Sequence, residues 1–112
     1  MAGLPQTVDV RDVAALVLYP IEHPEETDGE RYIASSAAGN PQAIADILRR
    51  EFPEAKNRIV EGTPGEGYKK GYEADNTQTT PVDSSKAKKL IGDWVSFETS
   101  VVDTAKQFAH LV

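Results

Sequence analysis

From about Val10 to Ile21 the sequence writes a helix that is apolar on nearly every side, and any fold the chain adopts has to cover it. Val10, Val13, Ala14, Val17 and Ile21 fall at the three- and four-residue spacing of one helix face. Leu16, Leu18 and Tyr19 extend apolar surface onto the other sides. Asp9 and Asp12 announce the start, because one carboxylate can cap free backbone N–H groups and the other can sit in the positive end of the first turn. The difficulty is supply of cover. A chain of 112 residues makes one domain at most, and at that mass folding buries roughly two-thirds of the unfolded surface, enough for one modest core.

Charge and cysteine content narrow the partners. Twelve basic against 18 acidic side chains leave a formal net charge of −6, which opposes the phosphate neutralisation that drives nucleic-acid binding. The absence of Cys removes disulfide scaffolds, zinc ribbons, thiol nucleophiles and iron–sulfur clusters together. Met1 to Thr7 has no basic leader pattern, and the apolar run Val13 to Tyr19 is far below the roughly 20 residues a membrane span needs. The expectation is a soluble, cytoplasmic protein with neither nucleic acid nor membrane as partner.

Further elements are punctuated by local signals. Pro20 and Pro24 flank an acidic run that ends at Gly29 and reads as a solvated turn. Glu30 to Ser35, with Tyr32 and Ile33 at its centre, reads as a short strand, and Arg58 to Val60 suggests a second. Asn40 followed by Pro41 predicts a helix start. Ile44, Ile47, Leu48 and Phe52 make its apolar stripe, Asp46, Arg49, Arg50 and Glu51 face water, and Pro53 stops it. Glu61 to Pro81 is rich in glycine and polar residues and is long for an unstructured run in a compact domain. Asp83 and Ser84 open a short helix that Gly92 closes, and Ser96 caps a last one with Phe97, Val101, Ala105 and Phe108 on one face. The architecture expected is α/β, with about four helices and two short strands that have no obvious partner within the chain. Exposed strand edges and an over-apolar first helix both call for a larger body.

The search for chemistry excludes more than it finds. Gly65, Gly67 and Gly71 are spaced Gly-x-Gly-x-x-x-Gly, without a leading strand or a following helix, and so do not make a dinucleotide fingerprint. His23 and His110 are far apart in sequence and lack acidic neighbours at ligand spacing, so no metal site is expected. None of Tyr19, Tyr32, Tyr68 and Tyr72 has a Lys four residues later, which a lysine-activated phenol would need. No catalytic residue is assigned.

Six motifs in order carry a family resemblance: Val8-Asp9-Val10-Arg11-Asp12-Val13-Ala14, Gly29-Glu30-Arg31-Tyr32, Ile47 through Pro53, Gly62-Thr63-Pro64-Gly65, Asp83 through Gly92, and Val102-Asp103-Thr104. Together they make residues 1–112 resemble the C-terminal, substrate-binding part of an extended short-chain dehydrogenase/reductase, of the fungal methylglyoxal-reductase and ketoreductase type related to dihydroflavonol reductases. The resemblance implies a small substrate domain attached to a Rossmann portion that holds NADPH and a Ser-Tyr-Lys set. The glycine fingerprint and the Tyr-Lys pair are absent from this chain. The chain alone is therefore expected to bind no cofactor and to be inactive, with a small carbonyl compound as substrate of the whole enzyme. The alternative is an interaction module that docks onto a Rossmann-fold partner, or self-associates, through its apolar helix and orphan strand.

Two residue sets follow. Thr63, Tyr68 and Tyr72, in the glycine-rich stretch, are expected to line a substrate pocket as a lid that excludes water. Asp9, Arg11 and Asp12 are expected to be structural, as a helix cap and an ion pair holding the entry turn. Lys86, Lys88 and Lys89 complement a helix end.

Overall fold

A computed structural model describes residues 6–66 and 82–111. Tyr68 and Tyr72 lie outside the described residues. The chain runs through β1 (Gln6–Thr7), α1 (Val10–Glu22), α2 (Pro24–Thr27), β2 (Ala37–Ala38), α3 (Pro41–Glu51), a 3-10 segment (Pro53–Arg58), α4 (Ser85–Ile91), α5 (Phe97–Phe108) and a closing 3-10 turn (Ala109–Leu111). Among the described residues, four longer helices and two short strands match the architecture read from the sequence, with α2 as an additional single turn.

Capping chemistry places the longer helices. Asn40 Oδ1 accepts from the N–H groups of Gln42 at 2.9 Å and Ala43 at 3.2 Å, with Pro41 in the first helical position where its missing donor costs nothing. Ser96 Oγ accepts from Thr99 N–H at 3.1 Å to start α5. Gly92 ends α4 at φ 84°, a backbone setting that favours glycine. At the start of α4 the duty falls on Asp83, whose Oδ1 takes the Ser85 N–H at 3.0 Å, while Ser84 turns its hydroxyl to the Ser35 carbonyl.

Four readings are corrected. The acidic turn after Pro20 is helical: Pro20 lies within the last turn of α1, and Pro24 starts α2, which ties back through Asp28 N–H to Pro24 O at 2.9 Å. Tyr32 and Ile33 carry no ladder. The strand is displaced to Ala37–Ala38, which pairs antiparallel with β1, Gln6 facing Ala38 and Thr7 facing Ala37. The short strands thus partner each other, against expectation, and side chains reinforce the pairing: Thr7 Oγ1 donates to Ala37 O at 2.9 Å and Ser35 Oγ to Gln6 Oε1 at 2.9 Å. Arg58 closes the 3-10 segment, and Ile59 after it is extended but unpaired in any described sheet.

The core is thin. Ala37, Ile47 and Phe97 form its buried centre, with Ile44, Val101 and Val102 packed around them where α3 crosses α5. Among the described residues four of six buried apolar side chains are alanines (Ala37, Ala38, Ala43 and Ala87), and no large side chain is fully buried. Such a core withdraws little apolar area from water. By contrast α1, which packs against α4, leaves Val10 78%, Val17 61% and Ile21 71% exposed. The apolar helix is uncovered on most of its circumference, as its all-round hydrophobicity predicts for a chain of this size. No described helix is long and apolar enough to cross a membrane.

Candidate functional site

Two polar constructions and one hollow concentrate the side chains singled out by sequence. The first lies at the mouth of α1. Asp9 is buried, and its carboxylate takes three donors from one residue: the Arg11 N–H and Nε–H on Oδ1, and an Arg11 Nη2–H on Oδ2, each at 2.8 Å. The Arg11 side-chain bonds, above all, hold this carboxyl well below the usual carboxylate range, and they outweigh the opposing effect of burial. The same guanidinium reaches Asp103 Oδ2 on α5 at 3.0 Å, and its own proton is held more tightly than usual, by Asp9 first and Asp103 second. Asp12, also buried, accepts the Val95 N–H at 2.9 Å. The three residues thus tie the entry of α1 to the body of α5 and to the segment that enters it.

Beside Asp9 is a hollow of about 360 Å³ between β1, α3 and α5, walled by Val8, Ile44, Leu48, Phe97 and Val101. Its volume is within the range of small-ligand clefts. Asp9 borders it, but its carboxylate is already engaged by three Arg11 donors.

Thr63 sits elsewhere. It is exposed, and its N–H donates to Gln42 Oε1 at 3.1 Å on the first turn of α3. Gly65 N–H donates to Asp46 Oδ2 at 2.9 Å. The structure therefore brings Asp9, Arg11 and Asp12 together and leaves Thr63 apart, away from the hollow's lining. Gln42 and Asp46 were not among the sequence candidates. Their signal was the four-residue spacing of an amide and a carboxylate on one helix face; the structure turns Asp46 from the water-facing role expected of it toward the glycine-rich stretch.

These contacts also test the fit of a dinucleotide. A phosphate cradle needs free backbone N–H groups converging on an anion. Here the Thr63 amide is engaged by Gln42, and the Gly65 amide already faces a carboxylate, which would repel a phosphate. Neither of these two amides is therefore free to cradle a phosphate. The described residues hold no group of three or more acidic, His or Cys side chains suited to a metal ion.

No protein-family model matches the chain. It is 38% identical over 101 residues to the NADPH-dependent methylglyoxal reductase GRE2 of Saccharomyces cerevisiae, a match that spans 89% of this chain and 28% of that protein. The yeast methylglyoxal/isovaleraldehyde reductase Gre2 complexed with NADPH superposes with a TM-score of 0.79 at 35% identity, over 98% of this chain and 34% of the reductase. Gre2 from Candida albicans gives a TM-score of 0.76 at 28% identity, over 96% of this chain and 32% of that one. In sequence and fold the chain is thus similar to one part of fungal NADPH-dependent methylglyoxal reductases of the Gre2 type, and it spans about three-tenths of their length.

Proposed function

We propose that these 112 residues serve as the substrate-side portion of an NADPH-dependent aldehyde or ketone reductase of the cytoplasm, with the hydride donor's site and the proton donor formed by residues outside them. The observation that carries this is the close superposition on one-third of a reductase that was solved with NADPH. The exposed face of α1 supports it, because a helix apolar nearly all round is built to be sandwiched. The small, alanine-rich core supports it too. On this reading the substrate is a small carbonyl compound, and Thr63, Tyr68 and Tyr72 belong to the wall that encloses it.

The test mixes the chain with NADPH and an α-keto aldehyde and follows nicotinamide absorbance. No turnover is expected, and calorimetry should detect no NADPH binding. Sustained turnover would overturn the reading.

A second reading rests on the same α1 face: an interaction module that docks onto a Rossmann-fold partner. Co-elution of the chain with a separately expressed Rossmann domain, without gain of reductase activity, would favour it over the first.

A further inference from the structure

We infer that Gln42 and Asp46 form a side-chain clasp that fixes the mouth of the glycine-rich stretch against α3, which makes them positioning residues for Thr63. Within α3 the two are one helical turn apart, and Gln42 Nε2 donates to Asp46 Oδ1 at 2.8 Å. That bond orients both side chains, so that Gln42 presents its Oε1 and second N–H, and Asp46 its other oxygen, to the chain beyond. Gln42 then imitates a peptide group. Its Nε2 donates to Glu61 O at 2.8 Å and its Oε1 accepts from Thr63 N–H at 3.1 Å, the two main-chain partners that flank Gly62. Asp46 Oδ2 continues the pattern two residues on, with the Gly65 N–H at 2.9 Å.

Gly62 is the matching part of the lock. It has φ 60°, where a side chain is strained, and a Cβ built there would fall far inside contact distance of Gln42 Oε1. Only glycine lets the amide approach. Asn40, which caps α3, and Pro41 hold Gln42 at the rigid start of the helix, so the clasp transmits the position of α3 to residues 61–65. The bearing of this clasp on a carbonyl pocket rests on the function proposed above; the clasp itself does not.

Amide hydrogen exchange, followed by NMR on the whole chain, tests it. Wild-type Thr63 and Gly65 amides should exchange about fivefold or more slowly than free-peptide rates, although both residues are exposed. Gln42→Ala should remove the protection of Thr63, and Asp46→Ala that of Gly65, while the Ile47 and Leu48 amides of α3 keep theirs. Gly62→Ala approaches from the other side: it leaves α3 untouched, drives the Gln42 amide away and should also free Thr63. Free-peptide exchange at Thr63 and Gly65 in the wild type, or unchanged protection at Thr63 in both Gln42→Ala and Gly62→Ala, would overturn the clasp. Neither outcome depends on whether the chain contributes to a reductase, so failure of the clasp and failure of that function remain distinct.

Discussion

The buried Asp12 carboxylate accepts the Val95 N–H at 2.9 Å, a single hydrogen bond that joins the first turn of α1 to the segment entering α5 across 83 residues of sequence. With so few large side chains buried, such a long-range polar tether carries a greater share of the fold than it would in a larger core. Asp12→Ala removes the acceptor and leaves the Val95 donor without its partner, at a cost of about 1–3 kcal/mol. Asp12→Asn keeps an oxygen in place and should lose less. Urea unfolding midpoints of the two variants against wild type check both the loss and its order.

Acid should weaken the α1 entry through Asp9. Its carboxyl titrates below the ordinary range because Arg11 donates to it from both the side chain and the main chain. A carboxyl with a lower pKa folded than unfolded stabilises the fold above the unfolded value of about 3.9, and that stabilisation is lost as pH falls below this toward the folded value. Asp83, lowered mainly by the Ser85 N–H, contributes in the same direction. The comparison that isolates Asp9 is therefore wild type against Asp9→Asn: the wild type should lose stability more steeply than the variant between about pH 5 and about pH 2. At neutral pH, Asp9→Ala should cost about 1–2 kcal/mol through loss of the cap.

The starts of α1, α3 and α5 were legible because capping is local: Asp9, Asn40 with Pro41, and Ser96 each bond within their own first turn. The strands were misplaced because pairing is not local. Arg31 to Ala34 has the higher β-propensity, yet the ladder forms at Ala37–Ala38, where Gln6 and Thr7 supply main-chain and side-chain partners some 30 residues away. Pro24 reads as a breaker in isolation and works as a helix start once the preceding chain delivers it to a first position. In the candidate site, the Asp9–Arg11 pair could be read from adjacency, whereas the roles of Asp103 and Val95 and the reach of Gln42 and Asp46 to residues 61–65 depend on contacts that only the folded chain creates.

Phe97 is the largest side chain in the buried centre, packed with Ile47 and Ala37 at the crossing of α3 and α5. Phe97→Ala should cost about 3–5 kcal/mol. Against the 5–15 kcal/mol typical of whole domains, and a core made largely of alanine, that loss should abolish a cooperative thermal transition. Circular dichroism on heating checks it: a broad, non-sigmoidal loss of helix signal is expected, and a sharp transition near that of wild type would show that α3 and α5 do not depend on this contact.

The exposed face of α1 should make the chain associate with itself when nothing else covers it. Val17 and Ile21 are four residues apart on that face, 61% and 71% exposed, and Leu18 beside them is 53% exposed. Contiguous apolar surface of this kind marks an interaction site or an aggregation liability. Replacing Val17 and Ile21 by Glu and Lys puts an (i, i+4) ion pair where apolar surface now meets water, with Glu N-terminal to Lys in the favourable order. Because both side chains are largely exposed, the double variant Val17→Glu, Ile21→Lys should stay within about 1 kcal/mol of wild type in stability. Its light-scattering mass should fall to that of a monomer at concentrations where the wild type is dimeric or larger. A wild type that is already monomeric at high concentration would mean that α1 needs no further cover, and would weaken the argument that this face is built for contact with another body.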